Sequence, residues 1–326
     1  MAGNTVLAGE VLARGLVGIF ENTYKQLDQG GLPDLDRAMQ RDVPADARDF
    51  TVAMYDTAPY PQRQELGDSV NEEGFQSKSA SVTINEFSVL IPWYRRDRTD
   101  GQVGSLDGQS SLAANNFFSL DSRAMIEMAT GTLDLLTAVP NAPDGVGPYS
   151  STDGDGENRF EVSGGNIETG QGVTAANITT DWHSVLSRFD AFKNTKGQPF
   201  FAASTMGTTY TIYAPSDMRA AFIGAFNAEL IQGTAAAPSN TIIASGENVR
   251  LIFTPRLNGT NDWLVFRDDV PVKPFASWLR QPISSYFAHA GNSDKARTEG
   301  KESLNLTCEK GYSVNVPFGT IKVTNA

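Results

Sequence analysis

Few side chains in this sequence could do chemistry, and their spacing fits none of the common sites. It has two histidines, His183 and His289, and one cysteine, Cys308. Those three residues cannot make a Cys or His zinc site, and one cysteine makes no internal disulfide. No Gly-x-Ser-x-Gly turn presents a serine nucleophile. Cys308, between Thr307 and Glu309 in a β-like stretch, reads as a packed thiol, and His183 falls on the polar side of a helix.

Two motifs come closer and still fail. Gly291 to Ser303 contains Gly300-Lys301, as a phosphate-binding loop would. However, Lys295 stands where the first glycine is needed, and Glu302 replaces the magnesium-ligating hydroxyl and would repel phosphate. Asp153, Asp155 and Glu157 alternate like calcium ligands, but Asn158 occupies the turn-glycine position and Gly164 the position of the closing glutamate. What remains is at most an irregular oxygen site between 153 and 164. No metal, cofactor or catalytic group is assigned.

The mixed-charge run Arg95, Arg96, Asp97, Arg98 and Asp100 follows Trp93-Tyr94 directly. It reads equally as a solvated loop of weak ion pairs or as an intersubunit contact, where charges beside aromatic anchors set register. Phe20 and Tyr24, on the N-terminal helix, join it as contact candidates.

The elements that must carry these residues come next. With 326 residues, about two domains are expected. Hydrophobic residues at 40% and charged residues at 20% are globular values and exclude wholesale disorder. A net charge of -12 speaks against tight nucleic-acid binding. The composition leads us to expect an intracellular, soluble protein. The stretch from Val6 to Phe20 is interrupted by Glu10 and Arg14, which predicts an amphipathic helix rather than a signal peptide or membrane span. Residues 28 to 50 are punctuated by Gly30-Gly31, Pro33 and Pro44 and read as an extended arm.

Thr51 to Tyr55 and Val82 to Ile91 read as the strands of a long hairpin with a charged tip. Because the apolar phase changes along the second run, a bulge is expected near Asn85 and Glu86. Phe117, Leu120, Ala124, Met128 and Leu135 form one stripe, predicting a long helix from about Ser110 to Leu136. A second helix, opening at Thr180, carries Trp182, Val185, Leu186, Phe189 and Phe192. Tyr210 to Ala214 is a strand running through Pro215-Ser216 into a helix with Met218, Phe222 and Phe226. Val249 to Thr254 and Trp263 to Phe266 are expected as strands joined at Asn258-Gly259, and Tyr312 to Val316 and Thr320 to Val323 as closing strands. The class is α+β, in two lobes.

This order of arm, hairpin, long helix and inserted α/β lobe resembles the HK97-type major capsid fold. Asn85 to Gly104, with Arg96-Asp97-Arg98-Thr99-Asp100, is similar to the major head subunits of Mu-like phages. So are Tyr213-Ala214-Pro215 with Ala220-Ala221, Trp263 to Pro282, and Gly311-Tyr312-Ser313-Val314. Between 56 and 76 the chain departs from that family, which has a Trp-containing stretch where this sequence has Tyr60, Pro61 and Gln64 to Gly67.

The resemblance implies an N-terminal arm (1–50) and an extended loop (51–100). It also implies a peripheral domain (101–139 and 271–326) with the spine helix at about 110–136, and an axial domain (140–270). The implied function is that of a non-enzymatic major capsid protein, forming pentamers and hexamers of an icosahedral shell around double-stranded DNA that it does not bind sequence-specifically. Implied partners are portal, scaffolding and decoration proteins, with no membrane. The implied location is the virion, and the host cytoplasm during assembly. Scaffolding is expected from a separate protein and no trimming is expected. A Lys78 cross-link is not expected, because no Glu and Asn are placed beside it. The alternatives are a tail or adhesion protein of the virion, and a soluble calcium-dependent binding domain.

Overall fold

A computed structural model describes residues 2–30, 35–57, 76–94, 103–201, 208–226, 248–289 and 292–325. Two sheets organise them. The first has the order β1-β9-β10-β4: β1 (Met39–Pro44), β9 (Phe275–Ala288), β10 (Lys301–Val314) and β4 (Asn85–Tyr94). The second has the order β5-β11-β8-β6-β7: β5 (Ile167–Thr169), β11 (Thr320–Thr324), β8 (Trp263–Arg267), β6 (Thr209–Pro215) and β7 (Asn248–Thr254). A separate two-stranded ribbon pairs β2 (Asp49–Thr57) with β3 (Gln76–Thr83).

The first sheet buries one face, as strict alternation along β10 requires. Leu304, Leu306 and Cys308 point inward and are about 1% exposed. Helices α1 (Ala2–Gly30) and α3 (Val103–Phe118) cover them through Leu16, Phe20, Leu106 and Phe117. Ser110 Oγ donates to the Leu16 carbonyl at 2.6 Å, a buried polar tie between the two helices.

Helix α4 (Leu120–Thr130) continues from α3 after an interruption at Ser119 and packs between the sheets through Ala124, Met125 and Met128. The short helix α2 (Leu35–Ala38) and Met39 join the same core. The second sheet is covered by α5 (Ala175–Ala191) and α6 (Arg219–Phe226), whose Trp182, Val185, Phe189 and Phe222 are fully buried against Ile212, Trp263 and Val265. Side chains of this size contribute roughly 1.5–3 kcal/mol each when fully buried.

Several expectations need correction. The arm is not a loop between 28 and 50: β1 runs parallel to β9, and β2 begins at Asp49. The long helix begins at Val103 and ends at Thr130, where Gly131 takes a left-handed φ of 77° and donates to the Glu127 carbonyl. The Glu127 carboxylate then accepts from the Leu135 and Leu136 N–H groups, turning the chain back. Leu135 fits the helical stripe because this reversal returns it to the core. α5 opens earlier than Thr180, capped by Thr174, whose hydroxyl accepts from Asn177 N–H at 3.3 Å. β7 and β8 do not pair; both flank β6.

The phase change near Asn85 marks a change of sheet rather than a bulge. β3 pairs with β2, the chain crosses at Ile84, and β4 pairs along its length with β10. The paired strands thus run Asp49–Thr57 and Gln76–Thr83, and residues 85–94 belong to the first sheet, so the ribbon does not extend to 100. Its expected charged tip lies largely outside the described residues. The last strand is also reassigned: β11 hydrogen-bonds with β5 and β8, so it belongs to the second sheet rather than with 271–326 in the first lobe.

The crossing is tight. A Cβ on Gly311 of β10 would lie 3.2 Å from Ile84 Cγ1 and the Thr83 carbonyl, and 3.3 Å from Val82 Cγ1. Gly311→Ala is therefore expected to overpack the hairpin root and cost about 1–3 kcal/mol, read as a lower urea midpoint at unchanged m-value.

Candidate assembly interface

The hairpin β2–β3 forms a ribbon separate from both sheets, and three contacts fix it to the rest of the chain. Ile84 N–H donates to the Arg48 carbonyl at 2.8 Å. The Phe50 ring meets Trp278 edge-on at 4.8 Å, and the Trp278 indole donates to Ser313 Oγ at 2.8 Å. Lys78 Nζ lies 3.4 Å from Asp153 Oδ2, joining the hairpin to the inserted lobe. Lys78 is thus an ion-paired ammonium here.

That contact also explains the Asp153, Asp155, Glu157 alternation. Asp153 Oδ1 accepts from the backbone N–H groups of Asp155 and Glu157, each at 3.1 Å, which is an Asx turn. Partial burial works to raise the Asp153 carboxyl, but those N–H groups and Lys78 outweigh it and hold it below its ordinary value. Among the described residues no group of three or more His, Cys, Asp or Glu is arranged to hold a metal ion.

The aromatic candidates divide between core and surface. Phe20 is 3% exposed, stacked on Tyr24 at 6.0 Å and edge-on to Phe117 at 5.8 Å. Trp93 is also 3% exposed; its indole donates to Glu302 Oε2 at 3.1 Å and stacks on Phe287 at 5.7 Å. Both therefore serve the subunit's own packing. Tyr94 is 40% exposed, with the Lys301 ammonium 5.6 Å above its ring, and Tyr24 is half-buried beside Phe118. Arg95, Arg96, Asp97, Arg98 and Asp100 lie outside the described residues. Glu302, the residue that spoils the phosphate-loop pattern, is itself buried under Trp93. Cys308 is packed as expected, and burial pushes its thiol up to about 11.

The sequence reading missed two buried charge networks. In the first, Lys310 Nζ reaches Asp42 Oδ1 at 2.7 Å and both Asp121 oxygens at 3.1 Å, and the Tyr312 hydroxyl donates to Asp121 at 3.0 Å. Asp42 is aimed there by an irregularity in β1, where its φ of 52° breaks the pairing register with β9. Burial alone would lower the Lys310 ammonium, but Asp121 and Asp42 raise it above its ordinary value. The signal was present in the sequence: positions 304, 306, 308 and 310 share one strand phase, so Lys310 had to point inward.

In the second network, Arg159 grips Asp144 through Nε at 2.7 Å and Nη2 at 2.9 Å, while Nη1 donates to the Gly147 and Pro148 carbonyls and Asn166 Oδ1. It orders the loop that leads from α4 into the second sheet.

No family model and no curated protein matches the chain. Solved structures do. The capsid of an empty GTA particle aligns with a TM-score of 0.55 at 12% identity, over 90% of this chain and 89% of that one. The capsid of cyanophage P-SCSP1u gives 0.53 at 11% identity over 89% and 86%. The capsid of the Myoviridae phage XM1 gives 0.51 at 11% over 91% and 92%. The chain has the α+β, HK97-type capsid fold; the narrower likeness to Mu-like head subunits rests on the sequence segments alone.

The Lys310 network makes a directional prediction. Lys310→Met leaves Asp121 buried without its cation and is expected to cost about 3–5 kcal/mol, with Asp121→Asn in the same chain restoring part of the loss. The pH dependence has one sign. Lys310 has a raised folded pKa, so its contribution is whole below the ordinary lysine value and is lost as pH climbs through the raised one. Burial likewise raises Cys308 and Tyr312, which ionise at ordinary values once unfolded, so the same climb weakens the fold. Urea unfolding should therefore show stability falling as pH rises above 9.0, the ordinary thiol value.

Proposed function

We propose that this chain is a major capsid protein: a structural, non-enzymatic subunit that assembles into pentamers and hexamers of an icosahedral phage shell enclosing double-stranded DNA. The observation that carries the reading is coverage. The likeness to capsid subunits extends over about nine-tenths of both chains, so it takes in the whole architecture rather than one common motif. Physical chemistry supports it. A two-stranded ribbon is marginal alone, and a long exposed strand pair is an aggregation hazard unless another copy covers it.

In this reading the first sheet with α1, α3 and α4 is the peripheral domain, and the second sheet with α5 and α6 is the axial domain. The hairpin is the extended loop, and the N-terminal arm packs into the peripheral domain through α1 and β1. The net charge of -12 suits an inner wall that must not adhere to packed DNA. Portal, scaffolding and decoration proteins would be its partners, the virion its location, and the host cytoplasm the place where it assembles.

Sedimentation and negative-stain imaging of the purified chain test this. Shells or capsomers are expected; a monomer that persists at high concentration would refute the reading, and trimers or rings without shells would indicate a tail protein. If the mixed-charge run is an intersubunit contact, Arg96→Glu with Arg98→Glu is expected to cut assembly by roughly tenfold, equivalent to about 1.4 kcal/mol, at an unchanged melting temperature.

A further inference from the structure

Between α1 and strands β9 and β10, beside the start of α4, lies an open cleft of about 370 Å³. Its walls are apolar: Phe20, Phe117, Leu120, Ile283 and Leu306 line it. Asp42 and Lys310 also line it, with Glu21 and Lys25 of opposite charge. On the polar side Asp42 and Asp121 both contact the Lys310 ammonium.

Asp42 is the accessible member of that cluster. Its side chain is 44% exposed, whereas Lys310 is 9% and Asp121 7%. One carboxylate oxygen, Oδ1, meets Lys310. The other makes no hydrogen bond among the described residues and is free to accept one. The rings of Phe20, Tyr24 and Phe117 line the same cleft, and aromatic faces attract cations. An apolar cleft with a partly exposed carboxylate on its wall is complementary to a molecule with an apolar body and a cationic head.

We propose that this cleft binds small primary alkylammonium ions, with the alkyl chain against Phe117, Ile283 and Leu306 and the ammonium on the Asp42 carboxylate. The inference uses only the geometry within one subunit and does not depend on the shell reading.

Calorimetric titration of the purified full-length chain at neutral pH with butylamine, hexylamine, hexanol and hexanoate tests it. Hexylamine is expected to bind, with each added methylene tightening binding about fourfold. Hexanol and hexanoate are expected to bind at least roughly tenfold more weakly, the loss of one charge-assisted hydrogen bond.

Asp42→Asn keeps a residue that tolerates the left-handed backbone and should weaken hexylamine by about tenfold without changing hexanol. Ile283→Trp, which fills the cleft, should abolish binding at an unchanged melting temperature, and it keeps the test decisive if Asp42→Asn disturbs the fold. Equal binding of hexanol and hexylamine, undiminished binding to Asp42→Asn in a folded chain, or no binding of any amine to the unaltered chain would overturn the proposal.

Discussion

A lysine ammonium inside a protein has to meet a carboxylate, and at Lys310 that requirement brings three distant segments to one point. β10 supplies the cation, α4 supplies Asp121, and β1 supplies Asp42 through a left-handed residue that interrupts its pairing with β9. Tyr312, two residues along the same face of β10, adds a hydrogen bond to Asp121. Leaving Lys310 or Asp121, both nearly buried, without its partner would cost about 3–5 kcal/mol, a large share of the roughly 5–15 kcal/mol that holds a domain folded. The positions of β1, α4 and β10 are therefore set together. The apolar packing of Leu304, Leu306 and Cys308 beneath α1 and α3 gives the favourable free energy, but apolar surface is tolerant of small shifts. The ion cluster is not, and it supplies the register.

Where periodicity alone decides the outcome, the fold was legible. The stripe from Phe117 to Met128 and the Trp182, Val185, Phe189 pattern are buried as their spacing demands, because amphipathic helices on a sheet have little choice of face. The strand and helix through Pro215 follow from the same logic. Errors arose where tertiary contacts overrode local pattern. Leu135 continues a helical stripe but reaches the core by a chain reversal held by Glu127, and that carboxylate gave no local sign of its role. Val82 and Ile91 looked like one kinked strand; they lie in two strands that serve different sheets, a distinction that depends on β10, far along the chain.

The candidate contacts show the same limit. Trp93 and Phe20 are aromatic residues of the kind interfaces favour, yet both are enclosed by Phe287, Glu302 and Phe117. Composition cannot separate a residue that anchors a neighbour from one that anchors its own helix. The inward phase of Lys310 could have been read by counting from Leu304, but its partners could not, since nothing local links Asp42 or Asp121 to it.

One feature of the topology bears on how a subunit comes into being. β10 lies inside the first sheet, between β9 and β4, and β11 lies inside the second, between β5 and β8. Both occupy central positions, and both are drawn from residues 301 to 324. On a ribosome, everything before residue 301 is made while neither sheet can close, and α1 has only part of its seat to bind. The earlier segments must wait, with their apolar faces incompletely covered and needing protection from premature contact. Both sheets are completed only by this late segment. Until residues 301 to 324 are made, a nascent chain therefore has neither sheet complete.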